Sequence, residues 1–278
     1  MKNKTFLYKA TKTALAIGIP IALAHIIHAA TLDRIIEYKV VPFRSKKVPP
    51  ELDGYKIAFV TDTHNISEVR LQKVVDTLNA KQIDLLMLGG DFAETKAKMQ
   101  KSIALLSQIA AIDGIFGVEG NHDNYQELFA AMREHGITPL SNSGTYARKN
   151  FYLAGVEDLR LHKPDVAKAI AGAKADDFVI LISHNPDVAM SASQDTTGVD
   201  LILSGHTHGG HITFFGLWKP ALRFVTNYGN RFAGGWAKSR DNTPVFVSRG
   251  VGEHRGLPRV FARPQVILIT LLHKEGAS

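Results

Sequence analysis

The sequence predicts an α/β protein whose helices cover the faces of its β-sheets. Short apolar runs alternate with segments in which apolar residues recur every three or four positions, as in strands followed by amphipathic helices. The chain has 278 residues, 45% of them hydrophobic and 21% charged, which is enough for a large core. Cysteine is absent, and this excludes disulfides, thiolate metal ligands and a cysteine nucleophile.

The predicted elements follow one another through short connections. The strands are predicted at Ile35–Phe43, Lys56–Val60, Ile83–Leu88, Ile115–Val118, Phe151–Ala154, Phe178–Ser183, Leu201–Leu203, Pro244–Ser248 and Gln265–Leu272. The helices are predicted at Ser67–Leu78, between Met99 and Ala110, at Tyr125–His135 and at Pro164–Ala171. We therefore expect residues 35–278 to form one folded domain and residues 1–34 to form a separate N-terminal segment.

The N-terminal segment has the composition of a membrane-targeting sequence. Residues 1–12 carry four lysines and no acidic residue, and residues 14–30 form an uncharged, mostly apolar run. This run is short for a spanning helix of about 20 residues, and Pro20, His25 and His28 weaken it further. Three interpretations stay open: a single anchor helix, which we favour, a cleaved signal peptide, and an apolar helix on the protein or membrane surface. Basic residues flank the run on both sides, so the membrane orientation is not predicted.

The balance of charge suggests an anionic partner. The formal net charge is +7, and the positive residues are spread along the chain. Because they lack the aromatic-and-basic pattern of a nucleic-acid-binding surface, we expect no nucleic-acid partner, and an anionic membrane surface and an anionic substrate both stay open. The sequence does not predict the oligomeric state.

Polar side chains follow five of the predicted strands, at the edge where α/β folds place their ligands. They are, in chain order, Asp62-Thr63-His64, Gly90-Asp91, Gly120-Asn121-His122-Asp123, His184 and Gly205-His206-Thr207-His208. Taken singly, each Asp is explained by a helix cap or turn, and each His by an ordinary hydrogen-bonded position. Their recurrence at five strand ends indicates a metal site, and imidazole with carboxylate but no sulfur suits manganese, iron or zinc.

These five blocks, all present and in order between residues 56 and 210, resemble the signature of the calcineurin-like metallophosphoesterases. The resemblance implies a four-layer sandwich of two mixed β-sheets flanked by helices. It also implies two divalent transition-metal ions, for which we favour Mn²⁺ over Fe and Zn²⁺. The apolar N-terminus, the two glycines after His208 and the late Val247-Ser248-Arg249-Gly250 are similar to a bacterial membrane-associated phosphodiesterase branch. Some members of that branch cleave the pyrophosphate of UDP-2,3-diacylglucosamine in lipid A synthesis.

The resemblance also implies a role for each residue of the motifs. The metal ligands would form two sets that share Asp91: Asp62, His64, Asp91 and His208 in one, and Asp91, Asn121, His184 and His206 in the other. His122 is not needed as a ligand, which leaves it free to protonate the leaving oxygen. Asp123 adjoins His122 and is expected to fix its tautomer.

The complete ligand set favours an active phosphohydrolase over a catalytically inactive metal-binding scaffold. We expect it to cleave a phosphodiester or pyrophosphate bond in a small phosphorylated or phospholipid-like substrate, linked to a lipid or a nucleotide. Phosphomonoester or phosphoprotein hydrolysis is the alternative. The expected location is a bacterial-type cell membrane, reached through the single N-terminal segment, on a side that the sequence does not identify.

Four further residues are candidates for the substrate site. Asn142 and Arg249 are candidates for substrate contacts, since a guanidinium can bind phosphate through two parallel hydrogen bonds. A surface ion pair is the alternative for Arg249. His211 and His254 are candidates for lining the mouth of the site.

An apolar segment follows the last motif and contains Phe214, Phe215, Leu217, Trp218 and, further on, Phe224. The favoured interpretation is core packing beneath the metal site. The alternative is a lipid-facing loop, because aromatic residues are enriched at membrane interfaces.

Overall fold

Twelve strands and six α-helices alternate along residues 2–275, the part of the chain that the computed structural model describes; for residues 2–7 and 255 it describes the backbone alone. The helices are α1 (Lys2–Ala30), α2 (Glu68–Lys81), α3 (Lys96–Leu106), α4 (Tyr125–Glu134), α5 (Val166–Ile170) and α6 (Leu222–Val225). The strands are β1 (Glu37–Ser45), β2 (Lys56–Val60), β3 (Leu85–Leu88), β4 (Ile115–Gly117), β5 (Thr138–Pro139), β6 (Ser143–Arg148), β7 (Phe151–Gly155), β8 (Phe178–Ile182), β9 (Leu201–Ser204), β10 (Gly235–Lys238), β11 (Pro244–Val247) and β12 (Gln265–His273).

The strands form two mixed sheets of six strands each. The first has the order β1-β12-β2-β3-β4-β5, in which β12 and β2 are antiparallel and the other neighbours are parallel. The second has the order β10-β11-β9-β8-β7-β6, with antiparallel pairs at both edges. Parallel neighbours bring the carboxyl ends of the central strands to the same edge of each sheet.

Alternation of side chains along each strand builds the layers. In β2, Ile57 and Phe59 pack in the core between the two sheets, whereas Ala58 and Val60 pack in the core beneath α2, α3 and α4. A third core lies on the outer face of the second sheet, against α5. The predicted four-layer α/β sandwich is confirmed. The four apolar positions predicted on the inner face of α2 are all buried: Leu71, Val74, Val75 and Leu78.

Three strands are absent from the sequence prediction: β5, β6 and β10. Each lacks a run of large apolar residues, and β6, with the sequence Ser-Gly-Thr-Tyr-Ala-Arg, is half-exposed at a sheet edge. Main-chain pairing with β7 holds β6 in place, and single-sequence patterns do not report such pairing. The predicted start of β3 is also early, because Ile83 forms only an isolated bridge with Ala111.

Helix α1 extends away from the sheets. The segment Tyr8–Arg34 is long and apolar enough to cross a membrane, with a mean hydropathy of 1.9, and its apolar window is not buried within the protein. Pro20 lies inside the helix without ending it. An N-terminal apolar helix is therefore present, as the sequence predicts.

Two histidines dock the C-terminal part of α1 onto the rest of the protein. The ring of His25 lies 4.9 Å from that of Phe214 and 4.5 Å from that of Phe215. The ring of His28 stacks on Phe261 at 3.8 Å. These histidines weaken the apolar run in the sequence, and the structure shows that they form the contact between the helix and the sheets' connecting loops.

Asp33 fastens the same junction just after the helix ends. Its side chain is 1% exposed, and its two oxygens accept hydrogen bonds from the backbone amides of Phe261, at 2.7 Å, and Ala262, at 3.1 Å. The Nδ1 atom of His28 lies 2.7 Å from the same carboxylate. Asp33 therefore joins the end of α1 to a loop that is more than 200 residues away in sequence.

We expect Asp33→Ala to lower the free energy of unfolding by about 1–3 kcal/mol, because two buried amides lose their acceptor. Thermal unfolding in detergent measures the change, and Asp176→Ala, which removes an exposed carboxylate, is the matched control. An unchanged midpoint for Asp33→Ala would show that the junction does not depend on this side chain.

Candidate active site

The ends of strands from both sheets meet at one place. The segment after β2 is joined to the segment after β3 by two backbone hydrogen bonds of 2.9 Å, from Asp62 N to Gly90 O and from His64 N to Asp91 O. From the second sheet, the amide of His206 donates to both carboxylate oxygens of Asp62 at 3.1 Å. The predicted motifs are thus brought together by main-chain bonds between loops of the first sheet and by an amide-to-carboxylate bond between the two sheets.

The first predicted ligand set converges in the structure. The Nε2 atoms of His64 and His208 lie 3.0 Å apart. The Nε2 atom of His208 is 3.4 Å from Asp62 Oδ1, and that of His64 is 3.6 Å from Asp91 Oδ2. Ligand atoms of Asp62, His64 and Asp91 lie within 4.8 Å of one another, a spacing that a single cation can bridge.

The second set also contacts Asp91. The Oδ2 atom of Asp91 is 3.2 Å from His184 Nε2, which is in turn 3.2 Å from His206 Nδ1. Asn121 Oδ1 is buried and has no hydrogen-bond partner within the described part of the chain. A buried amide oxygen without a partner is uncommon. A divalent cation bound by the neighbouring carboxylate and imidazoles would satisfy it, so the donor set fits the metals that the motifs imply.

Two backbone carbonyls fix the orientation of the second-set histidines. His184 Nδ1 lies 2.7 Å from Gly89 O, and His206 Nε2 lies 3.0 Å from Val225 O. A carbonyl only accepts, so each of these nitrogens carries a proton and the other ring nitrogen faces the centre. Neither carbonyl carries a signal in the sequence.

Burial sets the protonation of several of these groups. It lowers the pKa of His64 to about 4 and that of His206 to about 3, and it raises the pKa of Asp62 to about 6. Burial alone would also raise the pKa of Asp91, but the adjacent His184 and His64 bring it below its ordinary value. The neutral imidazoles of His64 and His206 and the ionised Asp91 are in the states that metal binding requires. Burial alone would lower the pKa of His184, but Asp91 and Asp62 bring it well above its ordinary value, so this ring has to release a proton when a cation binds.

The ligands lie on strained backbone. Five of the seven predicted metal ligands have positive φ: Asp62 at 54°, His64 at 40°, Asp91 at 56°, His206 at 69° and His208 at 51°. Such conformations cost about 1–3 kcal/mol each for residues other than glycine and cluster at functional sites.

Two glycines make the close approach of these loops feasible. A Cβ atom at Gly120 would lie 2.3 Å from Asp91 Oδ1, and one at Gly205 would lie 2.2 Å from Asp62 Oδ2. Glycine is required at both positions because any side chain would displace a proposed ligand.

Asp123 has a different role from the one predicted. Its carboxylate accepts hydrogen bonds from the backbone amides of Asp91 at 2.7 Å, Phe92 at 2.9 Å and Gly120 at 2.9 Å. These three bonds hold the loops after β3 and β4 together. Within the described residues no hydrogen bond joins this carboxylate to the ring of His122, so Asp123 positions the metal ligands and does not orient the proposed acid.

His122 lies at the open side of the centre. Its backbone amide donates to Asp91 Oδ1 at 2.8 Å, and its half-buried ring is 5.4 Å from that of His64. The ring of His254 lies 5.0 Å from that of His122, and a ring nitrogen of His254 is within 4.8 Å of those of His64 and His208. His254 therefore lies within the candidate site, whereas the sequence predicts it at the mouth of that site.

Arg259 is a site residue that the sequence does not reveal. It is 1% exposed, and its Nη2 atom lies 3.2 Å from His208 Nδ1 and 2.7 Å from Gly252 O. Its Nη1 atom lies 3.3 Å from His208 O. The guanidinium therefore contacts both the ring and the backbone carbonyl of His208 and fixes its position.

The remaining predicted substrate residues are engaged with the protein. Asn142 Oδ1 accepts from the amides of Glu157 and Asp165, and its Nδ2 donates to Lys163 O. The guanidinium of Arg249 is 2.6 Å from Glu37 Oε2, which matches the ion-pair alternative.

His211 stays beside the centre. Its ring lies 5.6 Å from that of His208, and its Nε2 atom lies 2.9 Å from Leu257 O.

The apolar segment after the last motif is exposed. The exposed fraction is 80% for Leu217, 68% for Trp218 and 69% for Phe224, so the favoured prediction of core packing is wrong. The rings of Phe214 and Phe215 contact α1, as described above.

The fold and the site together define a metal-dependent phosphoesterase. Residues 55–210, more than half of the chain, match the calcineurin-like phosphoesterase family, and the protein belongs to that family. The match covers all five motifs, from Asp62 to His208.

Curated relatives carry names of the same class. The chain is 28% identical over 286 residues to the transmembrane protein with metallophosphoesterase domain of Danio rerio, covering 95% of this chain and 63% of that protein. It is 28% identical over 284 residues to an uncharacterized metallophosphoesterase of Helicobacter pylori, covering 97% and 73%. It is 29% identical over 291 residues to the uncharacterized metallophosphoesterase YkuE of Bacillus subtilis, covering 98% of each. These names specify no substrate, so the UDP-2,3-diacylglucosamine-type activity stays a hypothesis.

We expect Asp123→Ala to lower the metal content of the purified protein, because the loops that carry Asp91 and Asn121 lose their common acceptor. His122→Ala, which removes a neighbouring side chain of the same loop, should keep its metal and serves as the control. Elemental analysis of both variants measures the effect. Full metal content in Asp123→Ala would contradict the positioning role.

Proposed function

We propose that this protein is a dinuclear metal-dependent phosphohydrolase that cleaves a phosphodiester or pyrophosphate bond. The observation that carries the proposal is the position of Asp91, whose carboxylate lies between two groups of ligand atoms, Asp62 with His64 and His184 with His206. His64 Nε2 and His184 Nε2 both face its Oδ2 atom, at 3.6 Å and 3.2 Å, so this carboxylate is placed to serve both groups. When bound, the cations would polarise a phosphoryl oxygen and lower the pKa of a water molecule for attack on phosphorus.

The protein's own groups supply the remaining functions. The carbonyl-bound rings of His184 and His206 keep fixed orientations, so their other ring nitrogens already face the centre. His122 is at the open side, where its ring can donate a proton to the leaving oxygen. The adjacent ring of His254 is placed to exchange that proton with solvent or to contact the leaving group.

The N-terminal segment supports a membrane-bound substrate. We assign residues 1–34 to a membrane anchor and residues 35–278 to the catalytic domain, since α1 is apolar and its window is not buried by the sheets. A catalytic domain held at a bilayer meets lipid-linked phosphates in preference to soluble ones. We therefore place lipid-linked pyrophosphates and phosphodiesters, including a lipid A precursor, ahead of free nucleotides, and Mn²⁺ ahead of Fe and Zn²⁺.

The metal requirement is tested by removal. Chelation should abolish hydrolysis of a chromogenic phosphodiester, and Mn²⁺ should restore it. Because Asp91 is shared, Asp91→Ala should lose both equivalents of metal, whereas Asn121→Ala should lose one. Elemental analysis of each variant, alongside its rate of hydrolysis, measures these two losses. Activity that survives verified metal removal would contradict the proposal, and two retained equivalents in Asp91→Ala would contradict the bridge.

The role of His122 is tested by changing the leaving group. A nitrophenolate leaves without a proton, so His122→Ala should affect an aryl diester only modestly. An alkoxide needs the proton, so the loss of kcat/KM for an alkyl diester should approach the roughly 10²–10⁴-fold of general acid catalysis. Equal losses on both substrates would assign His122 to electrostatic binding of the phosphoryl group.

A further inference from the structure

A loop beside the active site exposes large apolar side chains in an ordered conformation. This aromatic loop, residues 212–224, starts four residues after His208 and leads to Val225, whose carbonyl contacts His206. Leu217 N donates to Phe214 O at 3.0 Å and Phe214 N donates to Trp218 O at 2.8 Å, which closes a tight turn.

The turn stores backbone strain to present these side chains. Its two central residues are in the left-handed region, with φ of 50° at Phe215 and 73° at Gly216. A bulky residue rarely adopts positive φ, and strain of this kind is typical of functional segments. Leu217 and Trp218, at the end of this turn, are 80% and 68% exposed. An ordered apolar tip that no described residue covers points to an occupant outside the chain.

The loop packs against the proposed anchor helix. Phe214 and Phe215 pack on His25, five residues before α1 ends at Ala30. At 1.5 Å per residue this contact lies about 7 Å below the end of the helix. Residues 13–30 of α1 carry no charge and extend about 27 Å, close to the ~30 Å thickness of a hydrocarbon core. When α1 spans that core, the loop reaches the depth of about 5–10 Å at which interfacial segments bind.

The charges around the loop suit lipid headgroups. Lys219 and Arg223 lie within it, and with Trp218 they line a cavity of about 460 Å³. The guanidinium of Arg223 stacks over the ring of Phe224 at 4.6 Å, so cation and apolar face are presented together. Aromatic tips flanked by basic side chains are the composition of segments that bind at the membrane interface.

We propose that the aromatic loop is a second membrane contact, which inserts Leu217, Trp218 and Phe224 into the interface of the leaflet that α1 leaves. Phe214, at the start of the turn, is six residues from His208, so the turn begins within about 20 Å of the candidate metal centre. The loop therefore holds the active site at the level of lipid phosphates. The inference rests on the anchor role of α1 proposed above, and the test separates the two.

The chain offers a matched pair of probes, because it contains two tryptophans, Trp218 and Trp236. Trp236 lies against Phe246 and against Phe43. Phe43 is in β1, about 20 Å from the start of that strand. Full-length Trp236→Phe and Trp218→Phe variants each leave one emitter. Both are reconstituted into vesicles of phosphatidylcholine and phosphatidylglycerol, with or without lipids that carry a nitroxide just below the headgroup. Flotation reports the anchor, and emission reports the loop.

Emission from Trp218 should shift to the blue and lose most of its intensity with nitroxide lipids, while acrylamide quenching should fall. Emission from Trp236 should respond to acrylamide alone. Hydrolysis of a soluble chromogenic diester by each variant confirms that it is folded. Floating protein whose Trp218 emission ignores the nitroxide would overturn the loop contact and leave the anchor standing. Protein that does not float would overturn the anchor, and the loop contact with it, without bearing on the metal chemistry.

Discussion

The buried carboxylate of Asp91 is the group on which the arrangement of the site depends. It faces His64 and His184, accepts from the amide of His122, and leaves room at Gly120 for no side chain. An isolated buried charge is costly, and Asp62 and Asp123 add two more carboxylates nearby. Burial and the charge of Asp91 raise the pKa of Asp123 to about 7. Cations bound by the proposed ligands would offset this repulsion, which is otherwise unfavourable.

Much of the fold and the ligand set follows from local patterns in the sequence. Apolar strand runs end at polar residues, and parallel pairing then gathers those residues at one edge, which needs no knowledge of distant contacts. What the sequence does not reveal depends on tertiary contacts. The positive φ of Asp62, the carbonyl of Val225 beside His206, and the buried guanidinium of Arg259 have no local signature.

Each wrong prediction has its own physical cause. Asp123 adjoins His122 in sequence, but consecutive residues in a tight turn point in different directions, and three amides take the carboxylate. The aromatic segment looks like core because hydropathy does not distinguish exposed apolar residues from those that face a protein interior. The histidines of α1 weaken the anchor pattern because they serve the contact with the domain.

The pairing of β1 with β12 bears on how the protein is made. Glu37 pairs with Gln265 and Ser45 with His273, so β1, the strand that follows α1, joins its sheet through β12, more than 200 residues later. During synthesis β1 leaves the ribosome more than 200 residues before its partner strand β12. Closing so long a loop is slow, and unpaired strand edges are prone to aggregate. The first sheet therefore stays incomplete until β12 has been synthesised, and its earlier strands need protection from aggregation until then.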